Sequence, residues 1–118
     1  MKEMQVMTSL EKELEKRLEE TCQRNDWTAT ADIRFGTTIA SLTLEKFSKE
    51  PIDPKDYRDA HMSLCDFIIA ELNIHYIEHE KVFTELNEEI PNTITPYHYS
   101  INAKLDIEEW IKKNSPID

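Results

Sequence analysis

The chain has 118 residues, 39% hydrophobic and 32% charged, with 24 acids against 14 bases and a formal charge of −10. That length suits a single domain over 1–118 with a short tail at 114–118. The charge argues against direct nucleic-acid binding and against adhesion to anionic lipid, both of which need a positive field, and it favours a basic protein partner. One glycine, Gly36, serves the whole chain, whereas small sheet-rich domains usually spend several on tight turns. The expected fold is therefore all-α, a bundle of about four helices; the alternative is α+β with a β-hairpin at 27–44.

The start, "MKEMQVMTSLEKELEK", lacks the apolar run of a secretory signal, and no stretch reaches the ~18 apolar residues of a membrane span. Cys22 and Cys65 are isolated thiols 43 positions apart, outside any C-x-x-C pair. A cytoplasmic protein is expected.

The first helix is read in "TSLEKELEKRLEETCQRN", with Thr8 and Glu11 as a capping box and Leu10, Leu14, Leu18 and Cys22 as a narrow apolar stripe. In "DWTATADIRFGTTIASLTLEKF" two periods compete. With period two, Trp27, Ala29, Ala31, Ile33 and Phe35 alternate with polar residues, and Gly36 sits where a hairpin would turn. With the helical period, Ala31, Phe35, Ile39 and Leu42 share a face. Helix is preferred, because a lone hairpin has no third strand to pair with.

Asp53 before Pro54 is a strong helix start, a capping carboxylate followed by proline at the first turn. From there to about Glu88 a long helix is expected. Met62, Cys65, Ile69, Leu72, Tyr76, His79, Phe83 and Leu86 are spaced 3-4-3-4-3-4-3, a heptad-like seam. Leu64, Phe67, Ile68, Ile74 and Ile77 lie off it. Such a helix would span about 50 Å, so it kinks near Asn73 or lends part of its length to a partner chain, a homodimer through 54–88 being one form. Thr95 and Pro96 open a last helix to about Lys113, with Ala103, Ile107, Trp110 and Ile111 inward and Lys112 and Lys113 at its C-terminal end.

The loudest chemical signal is "HYIEHEKVF". On a helix, His75 and His79 project from adjacent turns, with Glu71 a turn before and Glu78 beside both, a set able to hold zinc or iron if other helices add ligands such as His98 or Glu108. The letters H-x-x-E-H resemble the inverzincin metalloprotease element, but only 39 residues follow His79. On the seam, His79 is read first as a partly buried ring within apolar neighbours. Cys65 is read as an inert core thiol, and one glycine excludes a phosphate loop. No cofactor and no catalytic residue is expected on the primary reading.

Acids remain. Glu11, Glu15 and Glu19 load the first helix, Glu85, Glu88 and Glu89 the end of the long one, and Glu108 and Glu109 the last. Gathered on one face, they would dock on a basic site, as a small inhibitor or adaptor of the phage anti-defence or immunity type does. Trp27, Tyr97 and Tyr99 are candidate anchors, with Trp27 preferred as core. The alternative function is a metal-binding bundle using Glu71, His75, Glu78 and His79.

Overall fold

Strict alternation of apolar and polar residues governs two stretches of the chain, and both are strands. In a computed structural model, which describes residues 2–23, 26–74, 82–87 and 97–115 (backbone alone for 2–7 and 82–87), the order is α1 (Lys2–Cys22), β1 (Thr28–Ile33), β2 (Ile39–Ser48), α2 (Pro54–Ala70), β3 (Val82–Asn87), β4 (Tyr97–Asp106) and α3 (Glu108–Asn114). The fold is α+β. The expected all-α bundle is overturned, and the alternative with a hairpin in the 27–44 region is the one that stands.

The four strands form one antiparallel sheet in the order β1-β2-β4-β3. Ala29 pairs with Leu44, Ala31 with Leu42 and Ile33 with Ala40. Leu44 then pairs with Ile101, Leu42 with Ala103 and Ala40 with Leu105. Period two puts these residues on one face, and all are buried. β3 joins the other side of β4, with Val82 opposite Ala103 and Thr84 opposite Ile101. The helical reading of 27–47 fails on Phe35, which is 79% exposed in the β1–β2 turn. The helical reading of 96–113 fails because 97–106 is β4, in which Tyr99, Ile101, Ala103 and Leu105 are buried while His98, Asn102, Lys104 and Asp106 are half-buried or exposed, with Ser100 the one intervening residue also buried, and helix begins only at α3.

The glycine argument misled for a physical reason. The β1–β2 connection is tight, and there Gly36 adopts φ +76, the left-handed region that favours glycine. The β2–β3 connection runs through α2, and β3 and β4 are separated by nine residues of sequence.

Helices pack on the apolar face. Leu10, Leu14, Leu18 and Cys22 of α1, with Ala60, Leu64, Phe67 and Ile68 of α2, join the strand residues and Ile107 and Trp110 in one core cluster. The Leu, Ile and Phe side chains among them each contribute about 1.5–3 kcal/mol when fully buried. α1 starts earlier than its sequence signal, at Lys2, so Thr8 lies inside the helix and not at its cap. α2 starts as expected: the Asp53 side chain accepts the Lys55 N–H at 2.9 Å, with Pro54 in the first turn.

α2 stops at Ala70, far short of Glu88. The chain turns at Asn73, φ +56, a conformation asparagine tolerates, and the Ile74 N–H reaches back to the Ile68 carbonyl at 3.2 Å. The segment 82–87, expected as the end of the long helix, is β3. The tail of the seam from Tyr76 to His79 lies outside the described residues. No helix among the described residues is long and apolar enough to cross a membrane.

Candidate protein-docking surface

The predicted acidic face is distributed over separate tasks. β1 is an edge strand, and its outward N–H groups need acceptors. α1 lies along that edge and supplies them: Glu15 Oε1 accepts from the Ala31 N–H at 3.0 Å, and Glu11 Oε2 from the Ile33 N–H at 2.8 Å. Glu19, the next in the series, is exposed and lines a cleft with Gln23, Trp27, Thr28 and Ala29. Glu108 is exposed and pairs with Lys112 at 3.1 Å, which pushes the Lys112 pKa up. Glu109 is exposed beside it. Glu85 is in β3 at the register of Ser100, while Glu88 and Glu89 lie outside the described residues.

Of the proposed metal ligands, His75, Glu78 and His79 also lie outside the described residues. Glu71 is engaged elsewhere. Its Oε2 accepts from Arg17 Nη1 at 2.6 Å and from Trp110 Nε1 at 2.8 Å. Arg17 also reaches Glu13 at 3.1 Å and Asn114 at 3.3 Å, and its guanidinium stands 5.7 Å from the Trp110 ring centroid. The bond from Glu71, foremost, then that from Glu13, raises the Arg17 pKa against the opposing effect of burial. This knot ties α1, the end of α2 and α3 together. His98, another candidate ligand, pairs with Glu45 at 2.8 Å and stacks on Phe47 with ring centroids 4.4 Å apart. Among the described residues no group of three or more His, Cys, Asp or Glu side chains is gathered to hold a metal ion.

The aromatic candidates divide. Trp27 and Tyr99 are core, and Tyr97 is half-buried. Trp27 Nε1 donates to Asp56 Oδ1 at 3.1 Å, and Lys46 Nζ holds the other oxygen at 2.8 Å in a pair whose side chains are 15% and 12% exposed. Tyr99 Oη accepts from the Ile52 N–H at 3.2 Å. A depression of about 480 Å³ opens beside the Lys46–Asp56 pair, lined also by Asp26, Asp53, Lys55 and Asp59. Two of its carboxylates are already committed, Asp53 to the α2 cap and Asp56 to Lys46.

The seam of α2 is where an unfilled surface appears. Ala60, Leu64, Phe67 and Ile68 are buried against the sheet. Met62, Cys65 and Ile69 stand on the opposite side, with Met62 54% and Ile69 40% exposed. At about 100° per residue these three fall within an arc of roughly 60°. Cys65, expected in the core, is half-buried on this outer face. Desolvation, and then the neighbouring Asp66 charge, push its thiol pKa up, so it is less ionised than an ordinary cysteine. Two apolar rows on opposite sides of one helix were visible in the sequence. A helix lying on a sheet buries only one of them.

The other sheet face carries Thr30, Asp32, Thr43, Glu45, Phe47, His98, Asn102 and Lys104. It is held by Thr43 Oγ1 to Asn102 Oδ1 at 2.9 Å and Asn102 Nδ2 to Ser100 Oγ at 3.0 Å. No protein-family model, curated protein or solved structure matches the chain.

Proposed function

We propose that the protein acts by binding another protein, as an inhibitor or adaptor of the phage anti-defence or immunity type, and that the partner's contact site is basic. The observation that carries this reading is an apolar stripe, Met62 and Ile69 on α2, left exposed on a chain of net charge −10. Exposed apolar side chains supply the anchor of an interface, while its charges set approach rate and partner choice. Glu19, Glu108 and Glu109 add exposed acid for that approach. The mechanism is occlusion: the chain covers a basic site that another ligand needs.

The test is affinity capture from the source cell with the chain immobilised. A retained protein with a basic surface, released as salt rises and bound less by a Glu19→Gln/Glu108→Gln/Glu109→Gln variant, supports the reading. A retained partner indifferent to both salt and these substitutions sinks the electrostatic half of it, and no retained partner sinks the whole.

A further inference from the structure

We propose that the outer face of α2 receives an amphipathic helix that carries basic side chains along one edge of its apolar stripe. This rests on the protein-binding reading above and names the surface and the chemistry of the partner. The 3-4 spacing of Met62, Cys65 and Ile69 is the row that one helix offers to another. The helix bearing it is fixed in place, because its opposite row is locked into the core by Leu64, Phe67 and Ile68. A partner therefore meets a preformed ridge and pays no ordering cost on this side.

Charge selects the occupant. Asp59 and Asp66 are seven apart and lie on the same flank of the stripe, about 40–60° from Met62 on the helical wheel. Neither has an ion pair among the described residues. A basic row on the incoming helix meets both. Lys55 and Arg58, exposed at the N-terminal end of the face, mark where that row stops. A second copy of this chain fits less well. Antiparallel pairing of two identical stripes sets like flanks against each other, so Asp59 and Asp66 of one copy face those of the other. Either orientation also brings two chains of charge −10 together. The stripe from Met62 to Ile69 is about 10 Å long, so a partner helix of roughly three turns covers it.

The probe is a synthetic 14-residue peptide with leucines at heptad a and d positions and lysines along one flank. One control has the same composition in scrambled order; a second carries glutamates for the lysines. Binding is read by amide chemical shifts of the isotope-labelled chain and by the maleimide alkylation rate of Cys65. The expected result is shifts centred on residues 55–70 and a several-fold slowing of alkylation. Both are lost in Met62→Lys/Ile69→Lys, weakened in Asp59→Asn/Asp66→Asn, and absent with either control. Peptide shifts elsewhere on the chain, unaffected by Met62→Lys/Ile69→Lys, overturn the surface and leave the basic-partner reading standing. No binding by the lysine peptide overturns the proposed face, while the basic-partner reading is decided by the affinity capture above. Equal binding by the glutamate or scrambled peptide overturns the proposed recognition. A dimer in sedimentation that Met62→Lys/Ile69→Lys dissociates makes the face a self-interface and also overturns it.

Discussion

Asp56 concentrates the most consequence in one side chain. It holds Lys46 with one oxygen and Trp27 Nε1 with the other, and both partners are largely buried. Asp56→Ala leaves an ammonium and an indole N–H without acceptors, and urea denaturation is expected to show a loss of roughly 3 kcal/mol. Replacing Lys46 by Met in the same chain removes the stranded charge, so the double variant is expected to recover part of that loss. Cys65 gives a pH prediction with a definite sign. Its folded pKa is raised, so the folded state keeps its proton where the unfolded thiol has lost it. Its effect is nil below the unfolded thiol pKa, and stability falls as pH rises from there towards the folded value. Alkylation-rate profiles are expected to rise at higher pH for Cys65 than for a free cysteine, and Cys65→Ser is expected to flatten the stability decline. At this scale the sequence was readable where the physics is local. Asp53 and Pro54 announce the α2 cap within three residues. Thr8 does not cap α1, because the residues before it continue the helix.

At the scale of elements, the cover over β1 is the feature to test. Glu11→Ala and Glu15→Ala each leave an edge N–H without its carboxylate, and a hydrogen bond to a charged group contributes about 1.5–3 kcal/mol. Hydrogen exchange is expected to speed up at the Ile33 amide in the first variant and at the Ala31 amide in the second, each without the other. In the turn just beyond Ile33, Gly36→Ala meets no neighbour within 4 Å but keeps φ +76. A loss of about 1 kcal/mol is expected from backbone strain alone. The two hairpin strands were legible as period two, and the hairpin was set aside for want of a third strand. That strand was present in "YHYSINAKLD", where Tyr97, Tyr99, Ile101, Ala103 and Leu105 alternate. It was passed over because Ala103, Ile107, Trp110 and Ile111 also suit a helical face. One misread strand thus removed the reason to believe in two others. The burial of Ala103, Ile107 and Trp110 was correct under either reading, because apolar side chains leave water whichever backbone carries them.

For the molecule as a whole, the exposed apolar face proposed for docking was half legible. The seam was found, but its direction was not, since sequence spacing fixes which residues share a face and only tertiary packing decides which face is covered. The acids were also counted correctly and assigned to one purpose too readily. Glu11, Glu15, Glu13 and Glu71 accept internal hydrogen bonds, so total charge overstates what faces a partner. Elemental mass spectrometry of untagged protein is expected to find no stoichiometric zinc or iron. About one equivalent, lost in His75→Ala/His79→Ala, would replace the protein-binding reading with a metal centre built on those histidines.

The α1 cover over β1 also behaves as a vernier. Carboxylates four residues apart on a helix advance about 6.0 Å, whereas alternate amides on an antiparallel strand advance roughly 6.8 Å. The two rulers slip by about 0.8 Å at each rung. Glu11 and Glu15 fall in step with Ile33 and Ala31, and by Glu19 the accumulated offset works against a third match at Ala29. Lengthening β1 would therefore outrun its cover, so the strand's length and the number of glutamates beside it are coupled quantities that can change only together.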